Sequence, residues 1–320
     1  MRAILQAGYS PAVPRPFRAL RFRVTRYFLA LCLALLPCAA QAASFASARP
    51  AARIIYTADT LGYLHPCSTC GGAQGGLARR AHLLPLLVAE SPRTLVLAGP
   101  GEFYADRTTP DPENADKLAK VLHAAFTKMP YAGVYLSPTV ENERRRLSLP
   151  ALVNGVPVTD TPVINYYRAG RFPVACVFLP MGKGDKGAPT PEQVLAAQNA
   201  AREAGNKARL VVAISPWGMV AENTLLPEFT GYFHIVLGGG PGIALPGQTM
   251  RAGTAGPVWI RSDRRGRAVN VLDILSLPDT RTSPWIEGIH FSSRLVFLEK
   301  DLPENEEVKE IISAVPRDKE

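Results

Sequence analysis

The chain of 320 residues is basic overall, with 36 Lys and Arg residues against 27 Asp and Glu residues and a net charge of +9. Its basic residues form no patch interleaved with aromatic side chains, and this excludes the nucleic-acid-binding classes. The length is enough to bury the core of one large domain or two small ones.

Residues 1–42 have the pattern of an export signal. They hold six of the Arg residues and no acidic residue, then an apolar run over 27–38 and the small-residue motif Ala40-Gln41-Ala42. This pattern predicts cleavage after Ala42 and a periplasmic or secreted protein. The apolar run is shorter than the ~20 residues of a membrane span, so none is expected after cleavage, and an uncleaved anchor is the alternative. Without the leader the net charge falls to +3.

The rest of the chain alternates strand-like and helix-like segments. We expect a disordered start over 43–52, one large domain over 53–315 and a tail over 316–320. Strand patterns occupy 54–57, 94–97, 134–136, 174–179, 210–214, 235–237, 258–261, 269–276 and 294–299. Helix patterns occupy 77–89, 115–128, 191–204, a short stretch near 225–229, and 304–314. The alternation predicts an α/β domain of packed sheet layers, with Gly266 in a hairpin turn between two late strands.

The first strand leads into the most distinctive stretch of the chain. Asp59 stands where this strand ends, a glycine-rich loop with Cys67 and Cys70 follows, and an amphipathic helix opens near Gly76. Strand carboxyl ends in α/β proteins open onto a crevice where ligands bind. The sequence therefore places its chemistry in this loop.

The motif Gly75-Gly76-Leu77-Ala78-Arg79-Arg80, with the strand and Asp59 before it, resembles the periplasmic 5'-nucleotidase and UDP-sugar hydrolase (UshA-like) group of calcineurin-like metallophosphatases. The resemblance implies a calcineurin-like α/β sandwich forming a single large domain over 53–315. It also implies two divalent metals, held by Asp, His and Asn side chains, that generate the hydroxide attacking phosphorus.

The ligand positions that the resemblance implies have almost all changed. Asp59 matches the first acidic ligand, and it is the one position that does. The others hold Leu61, Gly101, the segment Ser137-Pro138-Thr139-Val140, Pro216, and the segment Gly239-Gly240-Pro241-Gly242. Leucine, proline and glycine side chains offer no lone pair to a metal, so we expect the two-metal hydrolysis to be lost. Five nearby residues could substitute as ligands: Glu102, Asp106, Glu141, Asn142 and His234.

Cys67 and Cys70 form a Cys-x-x-Cys motif in the first of these loops. Two thiols at this spacing can exchange a disulfide with a partner, and a helix N-terminus or a cation such as Arg79 or Arg80 would raise their thiolate content. The motif also resembles a UshA-like subgroup in which one cysteine can be selenocysteine, which favours redox chemistry. We therefore predict a redox-active dithiol without a cofactor, whose partner is a thiol or disulfide protein or a small thiol.

Four alternatives remain open from the sequence. The cysteine pair could be a structural disulfide, the default in an oxidising compartment, or a metal site together with Cys176 and His65. Asp59 could hold a single divalent metal with Glu102 or Asn142 as a residual phosphoesterase. The glycine-rich segment 238–242 could line the ligand pocket of a non-catalytic binding module. Cys176 itself, inside an apolar strand, is predicted to be a buried small hydrophobe.

Overall fold

A computed structural model describes residues 49–66, 73–103, 112–249 and 255–315. Cys67 and Cys70, the leader and the tail over 316–320 lie outside the described residues. The predicted strands are present, and the first begins slightly earlier than expected, because Ala52 pairs with Ile274 of a later strand.

Six strands form the first sheet. They are β1 (Ala52–Thr57), β2 (Thr94–Ala98), β3 (Gly133–Leu136), β4 (Gly155–Pro157), β11 (Ala268–Ile274) and β12 (Phe291–Phe297). Their order across the sheet is β12-β11-β1-β2-β3-β4. The strands β1 to β4 run parallel, whereas β11 is antiparallel to both of its neighbours.

Six other strands form the second sheet. They are β5 (Val163–Ala169), β6 (Phe172–Phe178), β7 (Leu210–Ser215), β8 (Ile235–Gly238), β9 (Leu245–Gln248) and β10 (Val258–Arg261). Their order is β5-β6-β7-β8-β10-β9. The four central strands are parallel, and β5 and β9 are antiparallel edges.

The described helices are α1 (Leu77–Glu90), α2 (Pro112–Thr127), α3 (Pro138–Arg146), α4 (Pro191–Ala204), α5 (Gly218–Leu225) and α6 (Glu306–Ser313). The helix over 191–204 agrees with the prediction. The arginines 144–146 close α3, where their charges lie at the negative end of the helix dipole. None of these helices is long and apolar enough to cross a membrane.

The central strands of both sheets are buried on both faces, which explains the continuous apolar runs in the sequence. On β1, Ile54 and Tyr56 point into a core shared with the second sheet, and Ile55 points into a core under α1, α2 and α6. A third core lies between the second sheet and α4 and α5. The chain is therefore an α/β sandwich with two sheets inside and helices outside.

The predicted hairpin at Gly266 is wrong. It would join the strands now seen as β10 and β11, but these belong to different sheets. Gly266 ends a short 3-10 turn, Arg264–Gly266, in the crossover between the sheets, with a positive φ of 60°. A glycine with positive φ indicates a turn but carries no information about strand pairing.

Candidate functional site

The carboxyl ends of five parallel strands converge on one crevice between the sheets. After β1, the backbone N–H of Asp59 donates to the carbonyl of Pro100 after β2 (3.0 Å). The Ser262 hydroxyl after β10 bonds both the N–H and the carbonyl of Ala58 at 2.9 Å. The N–H of Gly239 after β8 donates to the carbonyl of Ser215 on β7 (2.8 Å). Asp59 thus lies just past the carboxyl end of β1, close to the ends of β2 and β10.

Asp59 is almost completely buried in this crevice, with 2% of its surface exposed. Its Oδ1 accepts a hydrogen bond from the backbone N–H of Gly240 (2.9 Å), and its Oδ2 finds no partner among the described residues. Gly101 must be a glycine, because a Cβ there would stand 2.6 Å from Oδ1. Burial raises the pKa of Asp59 to about 7, against the lowering effects of the Gly240 N–H and Arg261.

The other family ligand positions form ordinary backbone structure. Ser137 caps α3 through its hydroxyl, and Pro138 is the first helical residue, a favoured position for proline. Leu61 donates its N–H to the carbonyl of Gly101 (2.7 Å), and the carbonyl of Pro216 lies against Gly240. No group of three or more His, Cys, Asp or Glu side chains within the described ranges is arranged to hold a metal ion. The donors described do not fit a dinuclear centre.

Glu102, the nearest substitute ligand in sequence, is committed to a buried cluster. Its Oε2 accepts a hydrogen bond from Arg80 (3.0 Å), and both side chains are essentially inaccessible. The hydroxyls of Thr57 and Thr60 also donate to the Glu102 carboxylate. Tyr131 completes the cluster with contacts to Thr57 (2.9 Å) and Arg80 (3.4 Å). A carboxylate held in this way is neutralised by Arg80 rather than by a metal.

Three further sequence candidates do not support a metal at Asp59. Glu141 pairs with Arg144 and Arg145 on α3, where Asn142 is exposed. His234 precedes β8 and donates its N–H to the carbonyl of Val211, so it lies at the opposite ends of the strands from Asp59. Asp106 lies outside the described residues.

His234 is a buried structural histidine. Its Nδ1 accepts from the N–H of Val211 (3.0 Å), and its ring meets Trp285 edge to face. Burial lowers its pKa to about 4, so the ring is neutral at physiological pH.

A second buried ion pair, which no pattern in the sequence predicts, lies between the end of β10 and α5. Arg261 at the end of β10 donates to Glu222 of α5, and both side chains are inaccessible. The indole Nε1 of Trp259 also donates to Glu222 (3.0 Å). The two partners stand 39 residues apart in the chain.

The loop that carries Cys67 and Cys70 is anchored on both sides by described residues. Before it, the carbonyl of Leu64 accepts the N–H of Leu77 (2.9 Å), and Pro66 packs on Gly76, where a Cβ would stand 3.0 Å from the proline ring. After it, the N–H of Gly75 donates to the carbonyl of Leu298 (2.9 Å). The loop therefore starts and ends on the first turn of α1 and on the chain that follows β12.

Of the two arginines predicted to act on the thiols, Arg79 lies at the described base of the loop, where its Nε is also 3.9 Å from the Glu304 carboxylate. It donates to the carbonyl of Ala73, the first described residue after the loop, and to the carbonyl of Lys300 (3.4 Å). Arg80 points instead into the cluster with Glu102. The first turn of α1 contains no acidic residue, so its positive dipole end is not offset there.

A cavity of about 300 Å³ lies beside the start of this loop. Its wall includes Leu64, His65 and Pro66 on one side and the end of α6 on the other, with Glu304 and Lys309 at the polar part. His65 contacts the carbonyl of Val315 through Nε2 (3.1 Å).

Cys176 is confirmed as a buried hydrophobe. It is fully buried on β6 in the core between the sheets, whereas His65 lies by α1 and α6 outside the first sheet. Burial raises the pKa of the Cys176 thiol well above its ordinary value, which makes it unreactive. The alternative of a metal site built from Cys67, Cys70, Cys176 and His65 therefore loses Cys176.

The amides of the glycine loop 239–242 serve the protein itself. The N–H of Gly239 goes to Ser215 and that of Gly240 to Asp59, and the carbonyls of Gly239, Gly240 and Pro241 accept from Arg261. An anion could bind to these backbone N–H groups only by displacing the hydrogen bonds that they make within the protein.

Solved structures with the same fold include a 5'-nucleotidase precursor, a sulfate thiohydrolase and a calcineurin-like phosphoesterase. A 5'-nucleotidase precursor from Thermus thermophilus superposes with a TM-score of 0.59 at 15% identity, over 82% of this chain and 58% of that one. The sulfate thiohydrolase SoxB of the same organism gives a TM-score of 0.60 at 15% identity, over 83% and 60%. This chain thus spans less than two thirds of either.

The calcineurin-like phosphoesterase YfkN from Bacillus subtilis gives a TM-score of 0.55 at 15% identity, over 82% of this chain and 96% of that one. No protein-family model and no curated protein sequence matches the chain. The similarity is therefore one of three-dimensional structure, and it shows that the chain has the calcineurin-like metallophosphatase fold.

Proposed function

We propose that this protein is an exported metallophosphatase-fold protein that has lost dinuclear hydrolysis and uses Cys67 and Cys70 for thiol–disulfide exchange. The observation that carries the proposal is the contrast between the strand-end region around Asp59 and the ends of the loop that carries the two cysteines. Near the strand ends, no group of three or more His, Cys, Asp or Glu side chains among the described residues could hold a metal ion, and two charged pairs are buried there. The dithiol loop next to this region is anchored at both ends beside a guanidinium and a helix N-terminus.

The proposed step is a two-electron exchange. The Cys67 thiolate attacks one sulfur of a partner's disulfide, and the partner's other sulfur leaves as a thiolate that takes a proton. The Cys70 thiolate then attacks the Cys67 sulfur and releases the partner's first thiol. The partner's disulfide is reduced to two thiols, and Cys67 and Cys70 are oxidised to a disulfide. The reverse sequence oxidises a dithiol partner.

Arg79 supports this chemistry as a positioning residue. Its guanidinium holds the carbonyl of Ala73 at the base of the loop and brings positive charge to that end. A cation close to a thiol stabilises the thiolate and lowers the thiol pKa. The partner is a protein or small molecule that carries a thiol or a disulfide, in the oxidising periplasm or outside the cell.

Thiol trapping across a series of redox buffers tests the exchange. We expect the mature protein to pass from dithiol to disulfide between about −270 and −120 mV, the range of exchange proteins. Cys70→Ser should accumulate a mixed disulfide with the partner through Cys67, whereas Cys67→Ser should trap none. Cys176→Ser is the matched control, and its titration should equal that of the native protein.

Two outcomes would separate the proposal from its alternatives. A pair that stays oxidised well below the exchange range is a structural disulfide, and the redox proposal fails. Stoichiometric Mn²⁺ with turnover of p-nitrophenyl phosphate or a nucleotide, both lost in Asp59→Asn, would instead establish a residual phosphoesterase using a single metal at Asp59.

A further inference from the structure

Arg261 lies at the carboxyl end of β10, beside the glycine loop 239–242, with 1% of its surface exposed. One guanidinium nitrogen, Nη1, donates to the Glu222 carboxylate. The other, Nη2, donates to three successive carbonyls, those of Gly239 (3.1 Å), Gly240 (2.8 Å) and Pro241 (3.2 Å). A single cation is therefore surrounded by one carboxylate and three carbonyl oxygens.

The backbone around Arg261 leaves room for the guanidinium only because of glycines. A Cβ at Gly238 would stand 2.9 Å from Nη1, and a Cβ at Gly242 would stand 3.0 Å from Nη2 and 3.1 Å from Nε. Gly242 also has a φ of 149°, in a region that residues with side chains rarely adopt. The loop is shaped to enclose this cation.

The same loop ties the second sheet to the first. The carbonyl of Gly240 accepts from Arg261, and its N–H donates to Asp59 at the end of β1. Arg261 also presents its own backbone carbonyl to the Asn270 side chain on β11 (3.2 Å). Contacts of one residue thus reach elements of both sheets.

We infer that Arg261 is a built-in cation that closes the strand-end crevice and does for its carboxylate and carbonyl oxygens what a bound metal ion would otherwise do. Carboxylate and carbonyl oxygens are the donors that hard cations take, and here the planar guanidinium takes them, in a geometry that suits its fork of donors. A dication entering the crevice would meet the positive charge of Arg261. This inference depends on the loss of the metal site and is independent of the cysteine chemistry, so the two can fail separately.

Chemical rescue of a cavity variant tests the inference. We expect Arg261→Ala to lower the melting temperature of the mature protein by about 10 °C, because Glu222 is left buried without its partner. Low millimolar guanidinium chloride should restore part of that loss in the variant, while it leaves the melting temperature of the native protein unchanged, because denaturation needs molar concentrations. Ammonium chloride at equal ionic strength should restore nothing, because a compact ammonium cannot span the carboxylate and the carbonyls.

Further variants and measurements could overturn the inference. If Arg261→Ala does not fold, Arg261→Lys is measured instead, and a melting temperature equal to the native value would overturn the inference. Equal rescue by ammonium, or no loss on removing Arg261, would overturn it as well. Stoichiometric binding of Mn²⁺ to the native protein, with a rise in its melting temperature, would show that the crevice takes a metal despite Arg261. In all variants the redox titration of Cys67 and Cys70 should stay unchanged.

Discussion

Replacing Arg80 with methionine is expected to lower the free energy of unfolding by about 3–5 kcal/mol, a cost typical of breaking a buried ion pair on one side. The variant leaves the Glu102 carboxylate without its countercharge at a site where both side chains are almost inaccessible. It also removes the hydrogen bond from Arg80 to Thr60 (2.6 Å). Urea unfolding followed by tryptophan fluorescence measures the change, which should appear as a lower midpoint at an unchanged slope.

Arg145→Ala is the matched control for this measurement. Arg145 also pairs with a carboxylate, that of Glu141, but its side chain is 68% exposed, and exposed pairs contribute little to stability. We expect its midpoint to equal that of the native protein. The double variant Arg80→Met with Glu102→Gln should be less destabilised than the two single losses added together, because no charge is left unpaired. If Arg80→Met and Arg145→Ala lowered the free energy of unfolding equally, the Arg80–Glu102 pair would not contribute as a buried ion pair.

Most strands that the sequence revealed have both faces buried; the exception is β12, an edge strand with exposed positions. Residues 174–179 and 210–214 form continuous apolar runs because they lie in the middle of the second sheet. The edge strands β5 and β9 were missed. β5 carries Asn165 and Arg168 among its apolar residues, and β9 contains a proline and a glycine, which weaken any strand pattern. Edge strands lack the uniform burial that makes a pattern visible.

The helix α3 was missed for a related reason. Its nine residues, PTVENERRR, include no buried residue, so no apolar stripe marks it. It is held instead by the Ser137 cap, by Pro138 at its first position and by the pairs between Glu141 and the arginines that follow. A capping residue and charge pairs three or four residues apart can be recognised in a sequence. They are the features from which α3 could have been predicted.

The buried ion pairs could not be predicted. Arg80 and Glu102 are 22 residues apart, and Arg261 and Glu222 are 39 apart. Local patterns carry no information about which charged side chains meet in a core. Arg80 appeared in the sequence as part of a family motif and as a cation for the thiols, and its role became visible only once β1, β2 and α1 were placed together. The sequence showed which of these positions hold leucine, proline or glycine, but it carried no signal for the buried ion pairs near them.

Asp59 also has a partner that local sequence patterns could not predict. The resemblance predicted Asp59 to be a metal ligand, and the structure places it just past the end of the first strand. Its hydrogen-bond partner, the N–H of Gly240, is 181 residues away. The carboxylate was expected to face a metal, whereas one of its oxygens is bonded to a backbone amide and the other to no described partner.

The Asp59→Asn variant is therefore expected to remove a pH dependence of stability. Burial raises the pKa of the folded Asp59 to about 7, whereas in the unfolded chain an aspartate loses its proton near pH ~4. Between these values the unfolded state binds fewer protons, so the free energy of unfolding falls as pH rises. The contribution is fully present below pH ~4 and is lost by about pH 7, with a total on the order of 4 kcal/mol.

Urea unfolding of both proteins at half-unit steps from about pH 4 to pH 8 measures this contribution as their difference, since all other titrating groups are shared. Asparagine keeps the oxygen that accepts from Gly240 and tolerates the φ of 54° at this position. We expect the variant to gain stability relative to the native protein as pH rises, and to be the more stable of the two at pH 8. Asp160→Asn, at an exposed carboxylate, should leave the native slope in place. A difference that is flat across this range, or that has the opposite sign, would show that Asp59 is ionised in the folded protein and held by a cation.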